Sequence, residues 1–313
     1  MTTNDSGAKS KPLGVEFGLG ALAATGAGIF TNPIDVIKIR LQLQGELAAK
    51  GTYEKLYKNT FHAGYTIAKH EGILSLQSAL GSALAFQVVL NGIRIGSFKF
   101  ARTQGWIVDN DGQTNVPKTA LMSGVSGYVA GILASPFYLV KTQIQSQSVE
   151  SIAVGHQHNH KSQFSAYAKL WNEGGILGLY QRCTAGGARL FVGSATQLTS
   201  FSFARDWLQQ FSVFDSRPMV LTFCSSVVGG IAVALAVQPV DVISSRLYNQ
   251  APDADGKLVY RGITDAFIKI LRTEGFTGLY KGVFPTMIRI APHTVLCLCF
   301  YDQLEIYYDR FIS

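Results

Sequence analysis

The sequence predicts an all-α membrane protein built from three tandem repeats of about 100 residues. Three observations carry that expectation: long uncharged runs, a proline motif that recurs at a fixed interval, and a Glu-Gly landmark that recurs in step with it. Of the 313 residues, 47% are hydrophobic and 15% charged, and the mean hydropathy is +0.19. Soluble domains carry about 25% charged residues. Uncharged runs cover Phe17 to Ile34, Ile73 to Ile93, Thr119 to Val140, Leu190 to Ala204, Pro218 to Val240 and Ile290 to Tyr301. A helix that crosses a bilayer needs about 20 such residues. The two short runs reach that length only if Arg189 and Arg289, which precede them, lie inside the helix. The runs are rich in Gly, Ala and Ser, which suits closely packed membrane helices.

Pro33, Pro136 and Pro239 follow one another at intervals of 103 residues. Glu71, Glu173 and Glu274, each followed by Gly, follow at intervals of 102 and 101. Two landmarks that keep both order and spacing through three cycles mark an internal repeat. Each repeat reads in the same order. An apolar helix ends in the proline motif, and a polar loop leads to a short amphipathic segment near Tyr57–His70, Ser162–Asn172 or Ile263–Thr273. The Glu-Gly landmark stops that segment, since Gly terminates helices readily, and a second apolar helix follows. Six spans result, with both termini on one side and the amphipathic segments on the other. The expected division is a polar tail over residues 1–12 and repeats over 13–110, 111–212 and 213–313.

The net charge of +7 is spread over segment ends and loops, where interfacial anchors lie. No basic stripe with interleaved aromatics is present, so a nucleic-acid partner is not expected. Cys183, Cys224, Cys297 and Cys299 have neither a disulfide nor a metal-type spacing. No nucleophile–base set or metal quartet points to an enzyme. The first residues show neither an apolar core nor an Arg-rich amphipathic pattern, so no cleavable presequence is expected. His156, His158 and His160 alternate in a polar loop; solvated histidines and a metal-binding cluster are both open readings.

The motif Pro33-x-Asp35-x-x-Lys38 and the later Glu274-Gly275 with Tyr280-Lys281-Gly282 resemble those of the mitochondrial carrier family, solute carrier family 25. The resemblance covers nearly the whole chain. It implies a six-helix barrel of threefold pseudosymmetry in the mitochondrial inner membrane, with a single solute site near mid-depth. It implies a functional monomer with no cofactor, and cardiolipin bound at the turns Tyr260–Gly262 and Tyr280–Gly282. The prolines Pro33, Pro136 and Pro239 would kink the odd-numbered helices inward. A matrix-side gate would then form from Asp35, Lys38, Tyr138, Lys141, Asp241 and Ser244, each acid reaching the base of the next repeat. Tyr138 stands where an acid belongs and Ser244 where a base belongs, so these two are expected to face each other. Asp35 with Lys141 and Asp241 with Lys38 would remain as ion pairs. At the cytoplasmic end, the corresponding network would involve Lys99, Arg102, Arg205, Asp302 and Glu305, of which Asp302 alone keeps the family's acid.

Phe86, Arg189 and Arg289 lie 15, 16 and 15 residues beyond the three landmark glutamates. They match the family's substrate contact points, with Gln87 and Leu190 as neighbours and Arg94 higher on the same helix as Phe86. Arginine binds carboxylate, sulfate or phosphate through paired donors, so an anionic solute is expected. No acid lies in any uncharged run, and both arginines are therefore expected to lack a protein partner. "FQVVLNGIRIG", "PFYLVKTQ" and "PVDVISSRLYNQ" resemble the oxaloacetate/sulfate carrier subgroup and its animal relatives. That implies a small dicarboxylate or sulfate-like anion moved by exchange or with a proton. The competing expectations are a carrier-shaped scaffold without transport, another organic anion, or an uncoupling-type proton leak.

Overall fold

The computed structural model describes residues 13–49, 52–107, 116–214, 218–252 and 257–311, and among these no strand occurs. The helices are α1 (Leu13–Leu43), α2 (Thr60–Glu71), α3 (Leu80–Thr103), α4 (Val116–Leu133), α5 (Ser135–Ser146), α6 (Gln163–Leu179), α7 (Cys183–Leu208), α8 (Pro218–Asn249), α9 (Ile263–Glu274) and α10 (Val283–Phe311). Six long paths, with α4 and α5 counted as one, pack side by side in the order α1, α3, α4–α5, α7, α8, α10, and α10 returns to α1. The ring is therefore closed. Ile73–Arg94, Met219–Asn249 and Phe276–Arg310 are long and apolar enough to cross a membrane, and the bent pair Pro117–Leu133 with Ser135–Ser146 is a fourth such path. Helices α1 and α7 complete the ring, α1 packing on α3 and α10 and α7 on α4 and α8.

The three prolines do not act alike. Helices α1 and α8 continue through Pro33 and Pro239, whereas α4 and α5 meet at a bend of 66° just before Pro136. Pro136 sits in the first turn of α5, where its missing N–H leaves no bond unmade. The packing explains the difference. Helix α4 presses on α7 so closely that a Cβ at Gly131 would lie 2.7 Å from the carbonyl oxygen of Gly186, while α5 turns away to pack on α3, α1 and α8. The helix is thus interrupted at the proline of repeat two, while α1 and α8 remain single helices across theirs.

The amphipathic helices α2, α6 and α9 follow one rule. Each buries an Ala and, four residues later, a larger aliphatic: Ala63 and Ile67, Ala166 and Leu170, Ala266 and Ile270. Residues four apart share a helix face, so these pairs seat each helix against the end of the ring. Helices α2 and α9 stop at Gly72 and Gly275, whose φ angles of 85° and 72° favour glycine. In repeat two the chain runs on through Glu173 and Gly174 and turns at Gly175 instead, with φ 56°. The landmark is shifted there by one residue, and Glu173 is left exposed.

Candidate functional site

At the proline-motif end of the ring, acids and bases from different repeats meet. Lys141 Nζ donates to Asp35 Oδ2 at 2.8 Å, and Lys38 Nζ lies 2.6 Å from Asp241 Oδ2. Both acids are buried. On α1 the three-residue offset places Asp35 and Lys38 on one face, so each reaches a different neighbour rather than the other. Gln42 Nε2 adds a 2.7 Å hydrogen bond to Asp241 Oδ2. A buried carboxylate without such partners costs several kcal/mol; here each acid holds a lysine of another repeat.

Directly beside these pairs is a cavity of about 130 Å³. Its lining includes Asp35, Lys38, Phe86, Gln87, Tyr138, Lys141, Arg189, Leu190 and Arg289. The structure therefore brings together the residues picked out on even helices by distance from the Glu-Gly landmark. Arg94 lies apart from them and donates to Gln197 Oε1 at 2.9 Å. The expectation that the two arginines lack an acid is overturned. Arg289 Nη1 is 2.9 Å from Asp35 Oδ1, and Arg189 Nη1 is 3.5 Å from Asp241 Oδ1. The acids come from the proline motifs of odd helices, beyond the ends of the uncharged runs. Each arginine still keeps a buried Nε with no hydrogen-bond partner. A buried unmade donor costs about 1–3 kcal/mol, so both guanidinium groups retain unmet capacity for an acceptor.

The expected encounter of Tyr138 with Ser244 is also corrected. Ser244 Oγ donates to the carbonyl of Ala185 at 2.9 Å, which satisfies its single proton on the α7 backbone. Tyr138 instead packs its ring against Tyr248 and Phe86, with centroids 5.2 and 5.3 Å away, and lies beneath Arg189. At the opposite end of the ring Arg205 and Asp302 are exposed and Glu305 is half-buried. The side chains of Lys99 and Arg102 lie outside the described residues.

A second tier below the cavity joins the landmark glutamates to arginines that were not picked out from the sequence. Seven residues past each proline stand Arg40, Gln143 and Arg246. Arg40 holds Glu71 through two bonds of 2.7 Å. Arg246 holds Glu274 in the same bidentate manner, one bond at 2.8 Å, and Lys281 Nζ reaches Glu274 at 2.6 Å. Lys281 also donates to the carbonyls of Gln44 and Gly45, so its ammonium faces inward rather than toward lipid. The recurrence of Arg at one fixed offset was the available signal. Among the described residues repeat two shows no such link: Gln143 Oε1 accepts from His160 Nε2 at 3.0 Å, and Glu173 lies 3.9 Å from Lys169 on its own helix.

The alternating histidines belong to this tier. His158 Nε2 donates to the Asn249 carbonyl at 3.0 Å, and burial pushes its pKa down to about 4. Among the described residues no three His, Cys, Asp or Glu side chains converge as a metal site. An unfolded histidine takes up a proton near pH 6.5, whereas folded His158 resists until about 4. The stability it supports is thus present above pH 6.5 and falls as pH drops toward 4. Melting temperature in detergent should decline over that window, and His158→Asn should flatten the decline. Identical slopes for the two proteins would refute the assignment.

The chain matches the family model described as "Mitochondrial carrier protein" over residues 9–104, 112–212 and 215–311. It is 42% identical to mouse "Solute carrier family 25 member 35" over 298 residues, covering 95% of this chain and 99% of the relative. It is 35% identical to the "Mitochondrial oxaloacetate transport protein" of Schizosaccharomyces pombe over 294 residues, covering 93% of this chain and 90% of the relative. The "Mitochondrial citrate transporter E" of Aspergillus niger is 37% identical over 301 residues, 94% of each chain. With a closed ring of three helical repeats and a family match to every repeat, the chain is a transporter of the mitochondrial carrier family.

Proposed function

We propose that this carrier moves a small dianion, a dicarboxylate such as oxaloacetate or malonate or a sulfate-like ion, across the mitochondrial inner membrane by alternating access. The observation that carries the reading is the charge of the cavity cluster. Lys38, Lys141, Arg189 and Arg289 face Asp35 and Asp241, so four cations meet two carboxylates and the net charge is +2. A dianion would bring that cluster to neutrality. Both arginines line the cavity, and a guanidinium offers paired donors to such an anion. A volume of about 130 Å³ is well below the roughly 300–1,000 Å³ of pockets for drug-sized ligands, which disfavours nucleotides. Relatives named for oxaloacetate and citrate transport agree with an organic anion.

The same geometry suggests how binding promotes opening. An anion that takes Arg289 and Arg189 competes with Asp35 and Asp241 for them. The gate acids then keep only Lys141 on one side and Lys38 with Gln42 on the other. A solute shifts a two-state equilibrium only through its differential affinity for the states, and here that difference arises from weakened gate contacts. The proline-motif end is the matrix gate in this reading, and cardiolipin occupies the turns at the edge of α9 and α10. Reconstitution in liposomes tests it. Labelled malonate and sulfate should exchange against internal dianions, while ATP should not. Uptake into anion-free liposomes driven by an imposed pH gradient would assign proton symport rather than exchange. A purified, folded carrier that moves neither dianion would overturn the proposal.

A further inference from the structure

Tyr138 occupies the position that carries Asp35 and Asp241 in the other two repeats. Its ring lies 4.5 Å from Arg189 Cζ, and the ring of Phe86 lies 5.7 Å from the same atom. The guanidinium therefore rests on two aromatic faces. Tyr138 is held in turn by Phe86 and Tyr248, and the Tyr248 hydroxyl is tied to Ser135 Oγ at 2.9 Å. The approach of Arg189 to Asp241 is loose, at 3.5 Å. By contrast Asp241 is tightly engaged by Lys38 at 2.6 Å and Gln42 at 2.7 Å. The firmer restraint on Arg189 is thus aromatic, not ionic.

An aromatic face and a carboxylate both attract a guanidinium, but they leave it in different states. A carboxylate neutralises the charge and takes its donors in the plane. A ring attracts the cation over its face and leaves the in-plane N–H groups open. With a carboxylate at position 138 the cavity cluster would carry +1 instead of +2, and Arg189 would be bound to an internal anion. We infer that Tyr138 is a specificity-determining residue: it orients Arg189 without neutralising it, and so reserves that charge for the second negative charge of the transported dianion. The inference rests on the dianion reading above and adds what sets the charge of the accepted solute.

The test uses full-length carrier with Tyr138→Phe, Tyr138→Leu and Tyr138→Asp, reconstituted and assayed with labelled malonate over a range of concentrations. Loss of a desolvated cation–π contact should raise KM about tenfold in Tyr138→Leu, with a smaller change in maximal rate. Tyr138→Phe keeps the face and should stay within about threefold of the natural protein. Tyr138→Asp should raise KM for malonate most and should improve uptake of a monoanion, lactate, relative to malonate. Equal KM values for Phe and Leu variants, or unchanged charge preference in the Asp variant, would overturn the inference. A second measurement does not depend on transport. In a thermal cycle across positions 138 and 189, Tyr138→Asp should raise the melting temperature when Arg189 is present and lower it in Arg189→Gln. No coupling between the two positions would refute the contact. Coupling accompanied by no malonate or sulfate uptake in any variant would reject the dianion reading while retaining the Tyr138–Arg189 contact.

Discussion

Arg289→Ala is expected to reduce dianion uptake at least tenfold while leaving a folded protein in the membrane. The residue lines the cavity, bonds to Asp35 at 2.9 Å and keeps an unpartnered Nε. A hydrogen bond to a charged group contributes about 1.5–3 kcal/mol, and a guanidinium can make two such bonds to one carboxylate. Removing it also lowers the net charge of the cluster to +1. Asp35 would keep Lys141 at 2.8 Å, so no buried acid is stranded and folding should survive. Arg289→Lys restores the charge but not the planar fork, and should recover only part of the rate. Arg189→Ala should behave similarly, because Asp241 retains Lys38 and Gln42. Initial uptake of labelled malonate decides the matter: either alanine variant working at a near-normal rate would remove the proposed site. Loss of the folded state in both would make the arginines structural.

The largest effect on stability is expected at Glu274. This side chain is 3% exposed and bonds to Arg246, itself fully buried, and to Lys281. Glu274→Gln would leave two cations facing a neutral amide. Breaking a buried pair by removing one partner costs about 3–5 kcal/mol. Glu71→Gln strands one buried guanidinium, Arg40, and should cost somewhat less. Glu173→Gln touches an exposed side chain with a 3.9 Å contact and should stay within about 0.5 kcal/mol. Melting curves of the three variants in detergent provide the comparison. Equal shifts in all three would show that the tier is not held by these pairs, and that the asymmetry of repeat two has no energetic consequence.

These expectations separate what is legible in the chain from what is not. Helical spans, the threefold repeat and the inward position of Phe86, Arg189 and Arg289 follow from the sequence, because they depend on local hydropathy and on fixed offsets within one repeat. The same holds for Asp35 with Lys141 and Lys38 with Asp241, once three equivalent motifs are placed on a ring. Repeat two is where such reasoning falls short. A proline motif specifies a weak point in a helix, but the close packing of Gly131 on α7 decides that α4 ends there while α1 and α8 run on. Tyr138 is visible as a missing acid, yet its neighbour depends on the rotation of α5 against α7. That rotation puts Arg189, not Ser244, against its ring. Arg289 and Asp35 are far apart in the chain, and their 2.9 Å contact depends on the relative height of α1 and α10. Local patterns determine which face a residue occupies, because a helix has one period. The partner on that face is set by how separate helices are stacked and turned, which is a property of the closed ring alone.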